Sequence, residues 1–302
     1  MPFLDRPVRV RVPATAANLG PGYDSFGLAL SRYDEVTAAV TTAGLSIELA
    51  GDPADQLALD ESHLVVRSMR ACFELLGGQP SGLRLHCANR IPHGRGLGSS
   101  AAAIVAGVEL ARSLRSDGRQ LLDDPGALAL ACELEGHPDN VAACLLGGLT
   151  VAWWDQGRGR GVRLDPVGFR PVVFIPPDRS ATRAARAALP AQVPHSDAAF
   201  NVGRAGLLLL ALTGRPELVL SATEDRLHQP YRASGMPASA HLVHELREQG
   251  IAAVISGAGP SVLALAVAEQ AEQAAARCPA DWECAVLSPA AGARAEALAI
   301  AK

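Results

Sequence analysis

The order of apolar and polar residues along this chain predicts a mixture of strands and helices. Val8, Val10 and Val12 alternate with arginines, a period of two that indicates a half-buried strand. Similar patterns predict further strands at residues 33–40, 45–49, 83–87, 148–154, 172–175, 252–256, 262–266 and 282–287. A helical period predicts helices at residues 64–76, 100–114, 126–135, 236–249 and 267–277, with an Ala- and Leu-rich helical region through 227. Because strands and helices do not alternate one by one, this order favours an α+β fold over a repeated βαβ unit.

Turn-forming stretches divide these elements. Residues 136–140 are predicted to close the helix before them and to be followed by the strand that begins at Gly148. The Gly- and Arg-rich stretch 155–161 predicts a loop or hairpin, and a domain boundary is placed just beyond it. The predicted domains are therefore 1–163 and 164–302. The Ala-rich end of the chain, residues 290–302, predicts a helix or a frayed tail.

The composition narrows the class of protein. The chain has 302 residues, 49% of them hydrophobic and 19% charged, as in an ordinary globular protein with a substantial core. A net charge of −4 gives no reason to expect nucleic acid or an anionic membrane as a partner. The six cysteines form no CxxC pair, so buried free thiols are expected. The start lacks an apolar signal segment, and no apolar run approaches the roughly 20 residues of a membrane span, so we expect a cytoplasmic protein.

The segment 92–102, PHGRGLGSSAA, carries the strongest chemical signal. Three glycines within five residues precede two serines and a stretch with good helix propensity. Glycine lets the backbone approach a ligand closely, and the first N–H groups of a helix have no partners within it. Such a loop suits a phosphate, and a serine hydroxyl there can ligate Mg²⁺. A Walker loop is excluded because Ser99 stands where its lysine should be, and the glycine spacing differs from the dinucleotide fingerprint. Taken alone, the loop is also compatible with a structural turn.

Two other segments carry polar residues in turn-rich sequence. Residues 13–25, PATAANLGPGYDS, follow the first strand and place Asn18 and Asp24 on one tight loop, where they can grip a small polar substrate. Residues 256–261, SGAGPS, lie between two predicted strands. Each segment alone is equally compatible with a simple turn or hairpin.

Taken together and in this order, the segments resemble the GHMP kinases, and within them the homoserine kinase family. The resemblance extends almost from end to end through PATAANLGPGYDSFGLAL, IPHGRGLGSSAAA, EGHPDNVAACLLGG, SATRAAR, LHQPYR and SGAGPS. It implies a GHMP kinase fold, with an N-terminal domain like domain 2 of ribosomal protein S5 and a C-terminal ferredoxin-like domain. It further implies ATP-dependent phosphorylation of the side-chain hydroxyl of L-homoserine to O-phospho-L-homoserine, a step of threonine biosynthesis. Because the family often forms dimers, a homodimer is also an expectation.

The resemblance assigns the nucleotide and metal positions. It places the ATP phosphates on the glycine loop, formed by Pro92, His93, Gly94, Arg95, Gly96, Leu97, Gly98, Ser99, Ser100, Ala101 and Ala102. Ser100 and Glu135 would ligate Mg²⁺, with Glu133 as the reserve for the second position. His63 falls where relatives often have asparagine, in a region near the adenine. Arg95 is expected to add a phosphate contact.

The same resemblance assigns the amino-acid pocket. A zwitterion needs a cation for its carboxylate and an anion for its ammonium. The residues that would supply this pocket are Arg186 and Arg232 for the carboxylate, Asp24 for the ammonium, and Asn18, Asp139, Asn140, Thr182, Gly257 and Gly259 around the rest of the substrate. The expected catalytic residues are Ser100, Glu135, Asp139 and Asn140. Mevalonate kinases carry an aspartate regarded as the base where Asp139 stands, whereas homoserine kinases are often described as working without one, so Asp139 is assigned to the substrate pocket.

Two other functions compete with this interpretation. One is a GHMP kinase for another small alcohol, such as mevalonate, which has a carboxylate but no ammonium for Asp24 to bind. The other is a catalytically silent GHMP-fold protein that binds a ligand as a regulator. The intact serines and glycines of the loop argue against the second.

Overall fold

The chain folds around two β-sheets that carry helices. The computed structural model describes residues 3–51, 57–179 and 182–299, with the side chains of residues 182 and 183 left out. The first sheet has seven strands and the second has four. This mixture of largely antiparallel sheets and helices confirms the α+β prediction.

The first sheet is built from the N-terminal half of the chain and one strand from its end. Its strands are β1 (Val8–Ala17), β2 (Phe26–Thr41), β3 (Gly44–Gly51), β4 (Gly82–Asn89), β5 (Leu149–Asp155), β6 (Arg158–Leu164) and β11 (Arg294–Ala297). The order is β11-β1-β2-β4-β3, with β5 paired to both β2 and β6. Only the β3–β4 pair is parallel among these. The valines of β1 point into the core, as their alternation predicts.

Helices cover one face of this sheet. They are α1 (Leu64–Leu75), α2 (Ser99–Leu114), α3 (Gly118–Leu121), α4 (Asp124–Glu135) and α5 (Pro138–Leu146). Helix α2 packs against β1 and against α1, α4 and α5, so it is buried along most of its length. Its two charged residues, Glu109 and Arg112, are buried and paired with each other, so charge as well as apolar surface is enclosed by the neighbouring elements. Because the middle of α2 is buried, the helix axis is fixed and its first turn points in one direction.

The second sheet belongs to the C-terminal half. Its strands are β7 (Phe169–Ile175), β8 (Ala253–Ile255), β9 (Val262–Val267) and β10 (Glu283–Val286), in the antiparallel order β10-β7-β9-β8. Helices α10 (Pro237–Glu248) and α11 (Ala268–Ala275) pack on it. Their apolar sides and the sheet form a second hydrophobic cluster. The loop between β8 and β9 carries the SGAGPS segment.

A helical segment joins β7 to α10 and contacts the loop after β1 through Asn201 and His228. It contains α6 (Thr182–Ala187), α7 (His195–Thr213), α8 (Val219–Ala222) and α9 (Gln229–Arg232), with short 3₁₀ turns at Pro216–Leu218 and Ala233–Gly235. Buried residues of α7 and α8 join the main core cluster, which contains residues of both sheets. The segment thus holds α6 and α9 against the loop that follows β1.

Two elements differ from the predictions. Residues 138–146 form α5, whereas the sequence placed only the end of a helix before 140. Gly136 ends α4 in a left-handed conformation, and Pro138 then starts a new helix, because proline at the first helical position loses no hydrogen bond. The predicted tail is also wrong at residues 294–297, which form β11 on the free edge of β1. Backbone groups at that edge need partners, and this requirement overrides the helix propensity of alanine.

Candidate active site

A cavity of about 430 Å³ lies where the glycine loop, the loop after β1 and the C-terminal segments meet. We call it the central cavity. Its lining residues are Asn18, Asp24, Gly94, Gly96, Gly98, Ser99, Ser100, Glu135, His137, Asp139, Asn140, Arg186, Arg232, Gly257 and Ala258. Residues from six separate sequence segments therefore face one space.

The glycine loop reaches this cavity because two of its glycines allow close contacts. Gly98 has φ +69°, and a Cβ there would lie 1.9 Å from the hydroxyl oxygen of Thr15 in β1. Gly96 has φ +73°, and its Cβ would lie 2.3 Å from the carbonyl oxygen of Ser256. Left-handed backbone conformations of this kind cost little only for glycine. The loop is thus packed between β1 and the SGAGPS segment.

Helix α2 begins at Ser99, immediately after Gly98, and its first turn opens on the central cavity. The unpaired N–H groups and the positive end of the helix dipole therefore face that space. The hydroxyl of Ser100 donates a hydrogen bond of 2.6 Å to Glu135 at the end of α4. Burial raises the pKa of Glu135, so its negative charge lacks full compensation in this position.

The first turn of α5 supplies the next group of polar residues. The Nδ1 atom of His137 lies 2.7 Å from a carboxylate oxygen of Asp139, and its Nε2 atom lies 3.8 Å from Glu135. Burial opposes the charge on His137, but the hydrogen bond and charge of Asp139, with Glu135, raise its pKa on balance. The Asn140 side-chain oxygen accepts a hydrogen bond of 2.8 Å from Thr15. The Asp139 and Asn140 side chains, which line the cavity, are thus held in place by His137 and Thr15.

A two-bond ion pair crosses the cavity between the loop after β1 and α6. The Arg186 guanidinium donates to the two carboxylate oxygens of Asp24 at 2.8 and 3.0 Å. It also donates to the hydroxyl of Tyr23 at 3.1 Å. The hydrogen bond to Asp24 raises the pKa of Arg186. Each side chain of the pair is about one third exposed, at 36% and 34%, so both remain accessible to a ligand.

Arg232 lies deeper than Arg186, with 3% of its surface exposed. Its guanidinium donates to the carbonyl oxygens of Ala185 (3.0 Å) and Gly257 (3.3 Å) and to Nδ1 of His228 (3.3 Å). His228 is fully buried, and its Nε2–H donates to the carbonyl oxygen of Gly20 at 2.7 Å. Since Nδ1 accepts from an arginine, His228 is neutral, and burial lowers its pKa in the same direction. No carboxylate among the described residues lies within 4.0 Å of Arg232, so its charge is free to bind an anion.

Asn18 connects the two halves of the site. Its side-chain amide donates to the carbonyl oxygen of Gly257 at 3.0 Å, and its amide oxygen accepts from the backbone N–H of Asp24 at 2.9 Å. Asn18 and Asp24 both have positive φ, at 69° and 54°. Asparagine and aspartate tolerate this conformation better than other residues. The loop after β1 is therefore shaped to present Asp24 while contacting the SGAGPS segment.

A second, more apolar cavity of about 280 Å³ adjoins the start of α2. Ser99 and Ser100 line both cavities, and His63, Leu64 and Val65 line its far side. His63 is buried, which lowers its pKa, and its Nδ1 atom has no hydrogen-bond partner among the described residues. We call this space the lateral cavity.

Most of the predicted site residues line one of these two cavities. His63, His93 and Ala102 line the lateral cavity, and the central cavity takes most of the rest. Those that line neither are Pro92, Arg95, Leu97, Ala101 and Gly259. Thr182 begins α6, but its side chain lies outside the described residues. Glu135 lines the central cavity, whereas the reserve residue Glu133 is exposed.

The position of Arg95 differs from the expected phosphate contact. Its guanidinium donates to the carbonyl oxygens of Pro176 and Pro177, beyond the end of β7, and to that of His93. Together with Pro92, Arg95 lines a separate cavity of about 760 Å³. The side chain thus joins the glycine loop to the second sheet and points away from the central cavity.

Three residues of the site were missed in the sequence. Thr15 orients Asn140, Tyr23 lies within 6 Å of both arginine guanidiniums, and His228 holds Arg232. All three lie inside the motif segments PATAAN, GPGYD and LHQPYR, so membership of a motif was the one signal in the sequence that could have indicated them. Their partners are far away in sequence, and only the fold reveals them.

Other classes of site receive no support. Among residues 3–51, 57–179 and 182–299, no group of three or more His, Cys, Asp or Glu side chains is arranged to hold a metal ion. Within the same ranges, every helix is too short or too polar to span a bilayer. The six cysteines are free. Burial raises the pKa of Cys72, Cys87 and Cys132 to about 12, which makes these thiols unreactive.

Comparisons with known proteins agree with this geometry. Residues 63–148 match the GHMP kinases N terminal domain, and residues 208–284 match the GHMP kinases C terminal domain. The homoserine kinase of Streptomyces coelicolor is 59% identical over 91% of this chain and 89% of its own. That of Clavibacter michiganensis is 52% identical over 86% and 83%.

Solved structures give the same picture. The homoserine kinase of Cytophaga hutchinsonii is 27% identical and superposes with a TM-score of 0.85, over 97% of this chain and 98% of that one. Mevalonate diphosphate decarboxylase of Staphylococcus aureus, at 14% identity and a TM-score of 0.66, shares the fold alone. The fold thus serves more than one reaction, whereas high identity over most of the chain is specific. This chain belongs to the homoserine kinase family of the GHMP kinases.

Proposed function

We propose that this kinase transfers the terminal phosphoryl group of ATP to the side-chain hydroxyl of L-homoserine, giving O-phospho-L-homoserine for threonine biosynthesis. One observation carries the assignment to this substrate. Arg186, Arg232 and Asp24 line the same cavity as the first turn of α2, whose unpaired N–H groups suit a phosphate. A neutral sugar would leave Arg232 without an anion. Mevalonate has a carboxylate but no ammonium, so it would compete with Asp24 for Arg186 and offer Asp24 no cation in exchange.

The glycine loop and the first turn of α2 would hold the phosphates of ATP. Gly94, Gly96 and Gly98 all have positive φ, which turns their backbone toward the cavity without side chains in the way. Backbone N–H groups and the helix dipole then supply positive potential for the phosphate oxygens. This arrangement needs no lysine, because backbone dipoles and a magnesium ion would offset the negative charge of the ATP phosphates.

Ser100 and Glu135 fit a magnesium ion. A hydroxyl and a carboxylate 2.6 Å apart are hard oxygen donors, and Mg²⁺ in kinases usually takes one or two protein oxygens together with phosphate oxygens. The raised pKa of Glu135 marks a carboxylate that a divalent cation would stabilise. When bound, the ion would neutralise negative charge that develops on the transferring group.

Arg186, Arg232 and Asp24 would bind the zwitterion. Arg232 is desolvated and lacks a carboxylate, so it is the stronger anchor for the substrate carboxylate. Arg186 and Asp24 satisfy one another, and a zwitterion can enter between them by offering a carboxylate to one and an ammonium to the other. Neither charge then loses its counter-ion. This exchange explains why both side chains stay partly exposed.

Asp139 and Asn140 would hold the reacting hydroxyl. Asp139 accepts hydrogen bonds from His137 and from the backbone N–H of Asn140, so one face of its carboxylate is fixed. Phosphoryl transfer passes through a loose transition state and depends mainly on alignment and charge neutralisation. We therefore assign Asp139 to the alignment of the hydroxyl. The lateral cavity, with His63, would take the adenine.

Release of ADP measured by a coupled assay tests this function. The acceptors are L-homoserine, D-homoserine, L-threonine, mevalonate and galactose, each with Mg-ATP. We expect rapid turnover with L-homoserine alone. Faster turnover with mevalonate would assign another alcohol, and ATP binding without turnover on any acceptor would favour a silent regulator. We also propose a cytoplasmic homodimer, which gel filtration with light scattering tests for the oligomeric state.

A further inference from the structure

A third cavity, of about 520 Å³, lies behind the wall that carries Arg232. We call it the rear cavity. Gln229 and Pro230 of α9 line it, while Arg232 of the same helical turn faces the central cavity. Ile255 at the end of β8 also lines it, two residues before Gly257, which lines the central cavity. The two spaces thus share one thin wall.

Arg247 of α10 brings a positive charge to the rear cavity. Its guanidinium donates to three neutral oxygens, the Thr223 hydroxyl at 2.8 Å and the carbonyls of Leu220 and Ala253 at 2.7 and 3.4 Å. In the described part of the chain, no carboxylate lies within 4.0 Å of it. Glu224, on the same wall, accepts two hydrogen bonds from Arg204 instead. A partly buried guanidinium without a counter-ion is costly, and burial lowers the pKa of Arg247.

The rest of the rear cavity combines apolar residues with the polar residues Thr223, Glu224, Asp225, Arg226 and Gln229. Phe200, Pro230, Val243 and Ile255 contribute to its walls. The Phe200 ring is held in place by the Arg226 guanidinium, 3.8 Å from its centre. Pockets that combine apolar surface with fixed polar groups are typical of small-molecule sites. Two arginines line this space, but Arg226 is paired with Asp197, so Arg247 is the lining arginine without a carboxylate partner among the described residues. It selects a ligand with one anionic end and one apolar end.

We propose that the rear cavity binds a small carboxylate with a branched or aromatic apolar body, and that this ligand changes the affinity for homoserine. Arg247 binds the carboxylate, and Val243 and Ile255 contact the apolar body. Free aliphatic acids and apolar amino acids share this chemistry. An amino acid would also bring an ammonium close to Glu224.

The coupling to the active site passes through Gln229. Its backbone N–H donates to Asp225 at 2.7 Å, and its side-chain oxygen accepts from the backbone N–H of Ile255 at 2.7 Å. A ligand that contacts α9 and β8 together therefore displaces Arg232 relative to Gly257, which are 3.3 Å apart. The glycine loop lies on the opposite side of this wall. The effect falls on the KM for homoserine and spares the KM for ATP.

Titration calorimetry of the whole protein tests the site, with saturating homoserine and ADP present to fill the central cavity. The ligands are 4-methylpentanoate, L-leucine, acetate and 4-methylpentan-1-ol. We expect 4-methylpentanoate or L-leucine to bind at least tenfold more tightly than acetate or the alcohol, and the tighter of the two identifies the class of ligand. Equal affinity for acetate and 4-methylpentanoate would overturn the proposal.

Two variants locate the binding. Val243→Phe fills the cavity and leaves the hydrogen bonds of Arg247 intact, and Arg247→Gln removes the charge. Each should weaken binding at least tenfold, while Arg158→Gln, on exposed β6, should leave it unchanged. Binding that survives Val243→Phe and disappears with homoserine would place the carboxylate in the central cavity and overturn the proposal.

A kinetic readout completes the test. The inference rests on the proposed function, because the expected effect is a change of at least threefold in the homoserine KM at constant ATP KM. Phosphorylation of homoserine without added carboxylate is measured first, so failure of the proposed function would be seen separately. An unchanged homoserine KM in the presence of bound carboxylate would refute the coupling.

Discussion

Replacement of Arg232 by leucine should separate carboxylate binding from the chemistry of transfer. Arg232 is 3% exposed and has no carboxylate partner among the described residues, so it should make a charge-assisted bond with a substrate carboxylate. Loss of one such contact costs about 2–3 kcal/mol. At 1.4 kcal/mol for each factor of ten, kcat/KM for homoserine should fall by roughly 30- to 150-fold. The KM for ATP should change little, because the Arg232 guanidinium donates to Ala185, His228 and Gly257 and, in the part of the chain that the structure describes, makes no hydrogen bond to the glycine loop.

The same substitution also removes hydrogen bonds that hold the wall. The carbonyls of Ala185 and Gly257 would lose a donor, which lowers the free energy of unfolding by about 1–3 kcal/mol. Thermal unfolding is therefore measured alongside the kinetics. Arg232→Lys, which keeps the charge but loses the planar fork, should lie between wild type and Arg232→Leu.

A substrate that lacks the carboxylate gives the decisive comparison. 3-Aminopropan-1-ol is homoserine without its carboxyl group, and wild type should use it poorly. The Arg232→Leu enzyme should lose activity toward homoserine while its activity toward 3-aminopropan-1-ol stays nearly constant. An equal fall for both substrates would show general damage, and an unchanged homoserine KM would refute the assignment of Arg232.

Three further substitutions test other parts of the site. Gly98→Ala should lower kcat by roughly tenfold or more through a clash with β1, whereas Gly77→Ala, at similar φ but with open space around its Cβ, should not; steady-state kinetics decide. Glu135→Gln should lower kcat by roughly 100-fold and change its Mg²⁺ dependence, and an equal effect of the exposed Glu133→Gln would contradict this choice of ligand. Burial lowers the pKa of His228, so the unfolded chain takes up a proton near pH 6.5 while the folded one resists it. The free energy of unfolding should therefore fall as pH drops from 7 to 5, by up to about 1.4 kcal/mol per unit from this group, and His228→Gln should remove that part; parallel urea-denaturation curves would refute it.

The motif segments could be placed from the sequence because their chemistry is local. The glycine loop, the strand before it and α2 after it follow from turn formers, alternation and helix propensity within residues 82–114. The pairing of Arg186 with Asp24 joins residues 162 positions apart, and the bond from His228 to Gly20 spans 208. No periodicity encodes such contacts. They depend on how the two sheets dock.

Short elements were also beyond sequence reasoning. Helix α5 has nine residues, too few for a helical period to stand out, and the turn formers at its start predict only the end of α4. The direction of the Arg95 side chain depends on Pro176 and Pro177, which come from the second sheet. Glu133 and Glu135 both lie in the last turn of α4, and the rotation of that helix decides which of them lines the central cavity.

The return of the last strand to the first sheet sets an order of events during synthesis. Strand β11 covers the outer edge of β1, and the two are separated by almost the whole chain. At about 5–20 residues per second, that edge waits roughly 15–60 s for its partner. An uncovered strand edge is a template for pairing with other chains. A fragment that ends near residue 163 should therefore self-associate, whereas in the full-length chain β11 covers this edge.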